Sequence, residues 1–181
     1  MSLTYAILAT LTDEPASGYD IAKKFDSSVS FFWQASHQQI YRELNKLEEK
    51  SWIFAETITQ EGRPNKKIYS LTKLGKEKII EWIAKPGKVS PHKEEVLVKL
   101  FAGYLVKPQI LIRELERHRQ LHKRQLDVYK GIAQQNFPQP HQLSFPHKCQ
   151  YLTLRQGIRY EENYIGWCQE AIEFLEKELV L

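Results

Sequence analysis

Ser36-His37-Gln38-Gln39-Ile40-Tyr41-Arg42-Glu43-Leu44-Asn45-Lys46-Leu47-Glu48 is the stretch on which the fold turns. Ser36 is a good helix N-cap. Ile40, Leu44 and Leu47 then fall at i, i+4 and i+7, so one stripe of a helix is buried. The opposite face carries Gln38, Tyr41, Arg42, Asn45 and Glu49. Directly afterwards the period changes. Trp52 to Thr59 and Lys67 to Leu71 are rich in aromatic and β-branched residues and read as two strands. Between them, Gln60-Glu61-Gly62-Arg63-Pro64-Asn65-Lys66 is a turn, with Arg63, Lys66 and Lys67 at or beside its tip. Thr72 then caps a fourth helix marked by Leu74, Ile79, Ile80, Trp82 and Ile83.

Working outward to the N-terminus, Leu3, Ile7 and Leu11, with Ala6 and Thr10, make a short amphipathic helix. Pro15 and Gly18 end it, and Ser17 caps a second helix whose apolar side is expected to hold Tyr19, Ile21, Ala22 and Phe25. Three helices, a two-stranded basic hairpin and a further helix are the plan of a winged helix-turn-helix. Its second helix-turn-helix element enters the major groove, where exposed side chains reach base edges. A polar helix face or a basic turn alone is what any solvated surface looks like. Here the face offers amide and guanidinium groups, which pair bidentately with adenine and guanine, and it immediately precedes a basic hairpin.

These residues also resemble a known family. Phe32 to Glu48, beginning Phe32-Trp33-Gln34-Ala35, resembles the recognition-helix region of PadR transcriptional regulators. Ser17-Gly18-Tyr19-Asp20-Ile21 is similar to the family's start of helix two. Gly62-Arg63-Pro64 with Lys67-Ile68-Tyr69-Ser70-Leu71-Thr72 and Gly75 is similar to its wing and entry to helix four. The C-terminal half, from Glu94-Glu95-Val96-Leu97-Val98-Lys99-Leu100-Phe101 onward, resembles the domain of virulence-activator-type members. One departure is Ser51, where the family often has a glycine suited to a left-handed helix end. The resemblance implies a homodimer on a pseudo-palindromic operator, generally a repressor, with DNA contacts from His37, Gln38, Tyr41 and Arg42 of the helix and Arg63, Lys66 and Lys67 of the wing; Asn45 and Lys46 on the same helix are further candidate DNA contacts. It also implies release by a small aromatic or phenolic effector. Trp33, Trp82, Tyr104, Tyr164 and Trp167 are the aromatic residues expected to line such a pocket.

The expected architecture is therefore mainly α with a small β-hairpin wing: a DNA-binding domain over 1–86 and a helical dimerisation domain over 94–181. The Pro/Gly-rich stretch Lys85 to His92 joins them, and Asn136 to His147 is a loop between two long helices. The last helix carries Tyr151, Leu154, Ile158, Glu161, Ile165, Cys168, Ile172, Leu175 and Leu179 at alternating spacings of three and four. Leu154, Ile158, Ile165, Cys168, Ile172 and Leu175 are the expected dimerisation seam. A second stripe, Tyr160, Tyr164, Trp167, Ala171 and Phe174, widens the apolar face beyond one partner helix, so one stripe packs within the chain and the other across a two-fold axis.

Composition narrows the classes. The chain has 181 residues, 42% hydrophobic and 27% charged, with net charge +4. This is a globular protein able to bury a good core, and its charge permits nucleic acid without demanding it. No apolar run approaches a membrane span and the N-terminus is not a signal peptide, so the expected location is cytoplasmic. Cys149 and Cys168, if on one helix, lie about 28 Å apart and cannot pair. His118 and His122 with Glu114 fall short of a full metal set, so no metal or cofactor is expected. No phosphate loop, nucleophile elbow or paired-carboxylate motif marks an enzyme. The alternatives are a winged-helix module for protein contacts and a constitutive regulator without an effector.

Overall fold

The computed structural model describes residues 2–27, 35–59, 65–87 and 93–179. Two compact units divide the chain, Met1–Val89 and Ser90–Leu181.

In the first unit, α1 (Ser2–Thr10) leads through a turn to a two-residue strand, β1 (Ala16–Ser17). Three further elements follow in order: α2 (Gly18–Ser27), α3 (His37–Glu49) and β2 (Ile53–Ile58). β3 (Lys66–Leu71) and α4 (Lys73–Ile83) complete the unit. The wing is a three-stranded antiparallel sheet of order β1-β3-β2, not the two-stranded hairpin expected from the sequence. Ala16 pairs with Tyr69 and Ser17 with Ile68; two residues are too few to show a strand period. Most of the expected stripes enter the core: Ile7 from α1 and Leu11 just after it, Ile21, Ala22 and Phe25 from α2, and Ile40, Leu44 and Leu47 from α3, joined by Leu8. Tyr19 departs from expectation. It is 65% exposed, because Ile21, Ala22 and Phe25 fill the buried face of α2 without it.

Both ends of α3 are closed by hydrogen bonds. Ser36 Oγ accepts from Gln39 N–H at 3.3 Å, and Gln39 Oε1 accepts from Ser36 N–H at 2.8 Å, a complete capping box. At the other end Ser51 N–H bonds Glu48 C=O and Trp52 N–H bonds Leu47 C=O, each at 2.9 Å. This is a Schellman turn, and Ser51 takes its left-handed position with φ 57°. The Trp52 carbonyl then accepts from Thr72 N–H at 3.1 Å and from Thr72 Oγ–H at 3.0 Å. Thr72 Oγ also caps α4 by accepting from Gly75 N–H at 3.0 Å. A side chain on Gly75 would place Cβ 1.9 Å from the Trp52 oxygen.

The second unit is α5 (Glu95–Phe101), a 3-10 turn (Gly103–Leu105) and two long helices, α6 (Pro108–Asn136) and α7 (Phe145–Glu176). Helix α7 begins within the expected loop, with Pro146 in its first turn, where no N–H is missed. Val96, Ile112, Leu115, Tyr164, Cys168 and Ile172 form one core, with Leu100, Trp167, Ala171 and Leu175 packed on it. Most of the stripe expected as a dimerisation seam is covered within one chain. Leu154, Ile158, Cys168 and Ile172 are buried inside a single chain, and Ile165 and Leu175 are half-buried. These four are core of the unit, while Ile165 and Leu175 keep part of their surface exposed.

The helix ends yield a prediction. A side chain in the left-handed region costs roughly 1–2 kcal/mol, offset by glycine's own entropy of roughly 0.5–1 kcal/mol. Ser51→Gly is expected to raise stability by about 0.5–1 kcal/mol in urea denaturation, whereas Gly75→Ala is expected to lower it by more than about 1 kcal/mol. Ser51→Gly without gain would contradict the Schellman geometry.

Candidate nucleic-acid interface

The exposed face of α3 is continuous. His37, Gln38, Tyr41, Arg42, Asn45 and Lys46 are all exposed, while Ile40, Leu44 and Leu47 turn inward. Gln39 is occupied by the capping box and Glu43 accepts a hydrogen bond from Thr4 of α1, so neither belongs to the presenting set. Lys46 lies 3.5 Å from Glu43. The ring of Tyr41 rests on the start of α2: a Cβ on Gly18 would come within 2.5 Å of it. Tyr41 therefore packs the two helices of the motif together while staying 43% exposed.

Lys66 and Lys67 sit on β3, and both are engaged. Lys66 Nζ is 3.2 Å from Asp20 Oδ2 of α2, and Lys67 Nζ is 3.4 Å from Glu48 Oε2 of α3. Arg63 and Trp33 lie outside the described residues. Asp20 is held below the usual carboxylate range, first by the Ser17 hydroxyl and then by Lys66. Tyr69, behind the wing, has its phenol pushed up by burial and by Glu48 and Tyr41.

Of the aromatic residues expected to line an effector pocket, Trp82 belongs to the first unit and Tyr104, Tyr164 and Trp167 to the second. Trp82, in the first unit, stacks on Tyr5 with centroids 4.5 Å apart and planes 7° apart. Tyr104 is 85% exposed. Tyr164 and Trp167 do meet, edge to face at 5.3 Å, inside the second unit. Around Tyr164 lies a polar cluster. Glu94 accepts from the hydroxyls of Tyr160 at 2.7 Å and Tyr164 at 2.8 Å, one oxygen each. His122 stacks on Tyr164 at 3.7 Å, and its Nδ1 pairs with the buried carboxylate of Glu161. Burial, then the Glu94 carboxylate, pushes both tyrosine phenols well above their ordinary range. Burial pushes the Cys168 thiol up to about 11. On the rim, Arg117 and then Lys99 hold Glu114 down at about 2. Glu114 lies 3.6 Å from His118, while His122 faces Glu161, so the two histidines serve different carboxylates. Among the described residues no group of three or more His, Cys, Asp or Glu is placed to hold a metal ion. No described helix is long and apolar enough to cross a membrane.

Comparison with known proteins places this architecture. Residues 7–81 match the transcriptional regulator PadR-like family, and residues 92–176 match the virulence activator alpha C-terminal family. A probable transcriptional regulator of Mycobacterium tuberculosis is 36% identical over 98% of this chain and all of its own length. This chain belongs to the PadR-like family of transcriptional regulators. The crystal structure of Bacillus subtilis PadR in complex with operator DNA superposes with a TM-score of 0.86, at 28% identity, covering 97% of this chain and 99% of that one. The same protein in complex with p-coumaric acid superposes at 0.80, also at 28% identity and over 97% and 99% of the two chains. The Vibrio cholerae virulence activator AphA superposes at 0.78, with 29% identity over 97% and 99%.

Within this PadR-like fold, the sequence reading missed three features. Tyr19 is an exposed phenol on the first turn of α2, not a core residue. Asp20 and Glu48 are the partners of the wing lysines. Glu94, Tyr160 and His122 join Tyr164 in one cluster; the spacing of Tyr160 and Tyr164 at i, i+4 was the available signal for two hydroxyls on one carboxylate.

Proposed function

We propose that this chain acts in the cytoplasm as a homodimeric, sequence-specific DNA-binding repressor, with no catalytic role. The observation that supports this reading is the exposed stripe His37, Gln38, Tyr41, Arg42 and Asn45 on α3 beside Lys66 and Lys67 of β3. The likeness to a PadR solved with operator DNA adds to it. On this reading α3 lies in the major groove, where Arg42 and Gln38 pair with base edges, and Lys46, Lys66, Lys67 and Arg63 contact phosphates. Tyr41 contributes mainly by fixing α3 on α2. Arg42→Ala is expected to cost about 1–3 kcal/mol and relax specificity at one base pair. Lys66→Ala is expected to weaken all sequences alike and reduce the salt slope by about one. A mobility-shift assay with the gene's own upstream region checks both. Operator affinity unchanged in a folded Tyr41→Ala, Arg42→Ala variant would overturn the assignment and favour a protein-binding winged helix.

Two copies must place their α3 helices about 34 Å apart to read both halves of a palindrome from one face. With the α7 stripe internal to the chain, the proposed contact shifts to the large apolar residues exposed on α5 and its following turn. Val98 is 69% exposed, Phe101 90% and Leu105 71%, beside Tyr104. Isolated exposed apolar residues are ordinary; four within eight positions of one short segment form a patch of the kind interfaces cover. Phe101→Glu is expected to convert a micromolar dimer to monomer in sedimentation without unfolding the chain, while Ile172→Glu is expected to unfold the unit. Wild-type monomer at that concentration would contradict the assembly.

The effector site is proposed at the cluster around Tyr164, Trp167, His122 and Glu94, where stacked rings and a carboxylate-held phenol meet; that a phenolic acid is the ligand class is supported by Bacillus subtilis PadR, solved in complex with p-coumaric acid. Trp33, Trp82 and Tyr104 are not part of this proposed core. A phenolic acid bound there releases the operator only if it favours the non-binding state, and linkage then makes operator weaken the acid by the same factor. Calorimetric titration with p-coumaric acid, with and without operator duplex, measures that factor. Equal affinity in both would make the acid a bystander, and a Tyr164→Phe variant with unchanged affinity would move the site elsewhere.

A further inference from the structure

Asp20 occupies an unusual position for a surface carboxylate. Its Oδ2 receives the Ser17 hydroxyl at 2.6 Å, and Ser17 Oγ accepts from Asp20 N–H at 3.1 Å. Ser17 is itself buried, 3% exposed, and paired in the sheet opposite Ile68 of β3. Continuing that antiparallel register brings Lys66, two residues before Ile68, alongside the first turn of α2. The approach of Lys66 Nζ to Asp20 Oδ2, at 3.2 Å, is therefore set by backbone pairing rather than by two mobile side chains finding each other. Asp20 also stands in the first turn of α2, where the helix dipole favours a negative charge. Its depressed titration agrees with a carboxylate that stays ionised at all working pH.

We infer that Asp20 is a positioning residue that holds Lys66 in place of a DNA phosphate, and so lowers the affinity of the wing for DNA of any sequence. This rests on the reading that Lys66 meets phosphate. A lysine already matched to a carboxylate attracts DNA less and contributes less to counterion release, because the fixed negative charge remains beside it. The effect is sequence-independent, since it touches no base edge. It sets the level of background binding against which the α3 contacts select. Lys67 has a partner in Glu48, but no comparable capping bond fixes that carboxylate, so the inference is confined to Asp20.

The test uses Asp20→Asn in the full-length chain. Asparagine keeps an oxygen for the Ser17 hydroxyl and removes only the charge. The expected result is a gain of about two- to five-fold for both operator and random duplex at low salt, with a salt slope steeper by a fraction of one, the part of the Lys66 contribution that Asp20 withholds. In a Lys66→Met background the gain should vanish, because the route through Lys66 is gone. Persistence of the full gain there would overturn the inference and leave only a general repulsion between Asp20 and DNA. Lys66→Met alone separates the two readings. If it leaves affinity unchanged, the wing does not meet phosphate and the underlying reading fails. If it weakens binding while Asp20→Asn gives no gain, the wing reading stands and this inference falls. Should Asp20→Asn fail to fold by circular dichroism, Asp20→Ser, whose hydroxyl can still cap, carries the same expectations.

Discussion

The carbonyl oxygen of Trp52 holds the first unit together. It accepts the Thr72 backbone N–H and shares the Thr72 hydroxyl proton with the Ser51 carbonyl, and it lies where any side chain on Gly75 would collide with it. Four elements meet at that atom: α3 ends just before it, β2 starts just after it, β3 ends beside it and α4 begins against it. The left-handed Ser51 is what turns the chain sharply enough to present the carbonyl. The position of the exposed stripe on α3 relative to the lysines of β3 is thus decided by backbone geometry outside the stripe. The side chains that would touch DNA are passengers on that frame.

Electrostatics then act on a surface already shaped. Asp20 and Glu48 each take one wing lysine, so the basic face is less basic than its count of cations implies. In the second unit the same economy takes a different form. Glu94 gathers two tyrosine hydroxyls, and Glu161 lies buried against His122 in a stripe that is otherwise apolar. A carboxylate left alone at such a depth would be strongly disfavoured; here a histidine of α6 partners it across to α7.

Much of this was readable from residue order. Ile40, Leu44 and Leu47, the Ser36 cap and the Thr72 cap are local signals, and local signals survive folding. The third strand was not readable, because Ala16 and Ser17 acquire strand character only from β3, fifty residues on. Tyr19 was misplaced because periodicity names a face but not its edge. The heptad stripe on α7 announced a buried seam and could not announce its partner; Leu154, Ile158, Cys168 and Ile172 are buried within the same chain. Residue type says nothing of direction: the ring of Trp82 stacks on Tyr5.

The two long helices of the second unit are joined by eight residues, Phe137 to Ser144, so most of their mutual packing links positions that are neighbours along the hairpin. In the first unit the sheet joins Ala16 to Tyr69, across two intervening helices. Loop closure makes the second kind of pairing slower to nucleate. The unit synthesised first is therefore the one with the more distant pairing to complete, and β2 with β3 can zip as a hairpin before β1 is captured on its open edge. Until that capture, β3 carries an unpaired edge, which makes Ala16–Ser17 a closing seal against pairing with foreign strands.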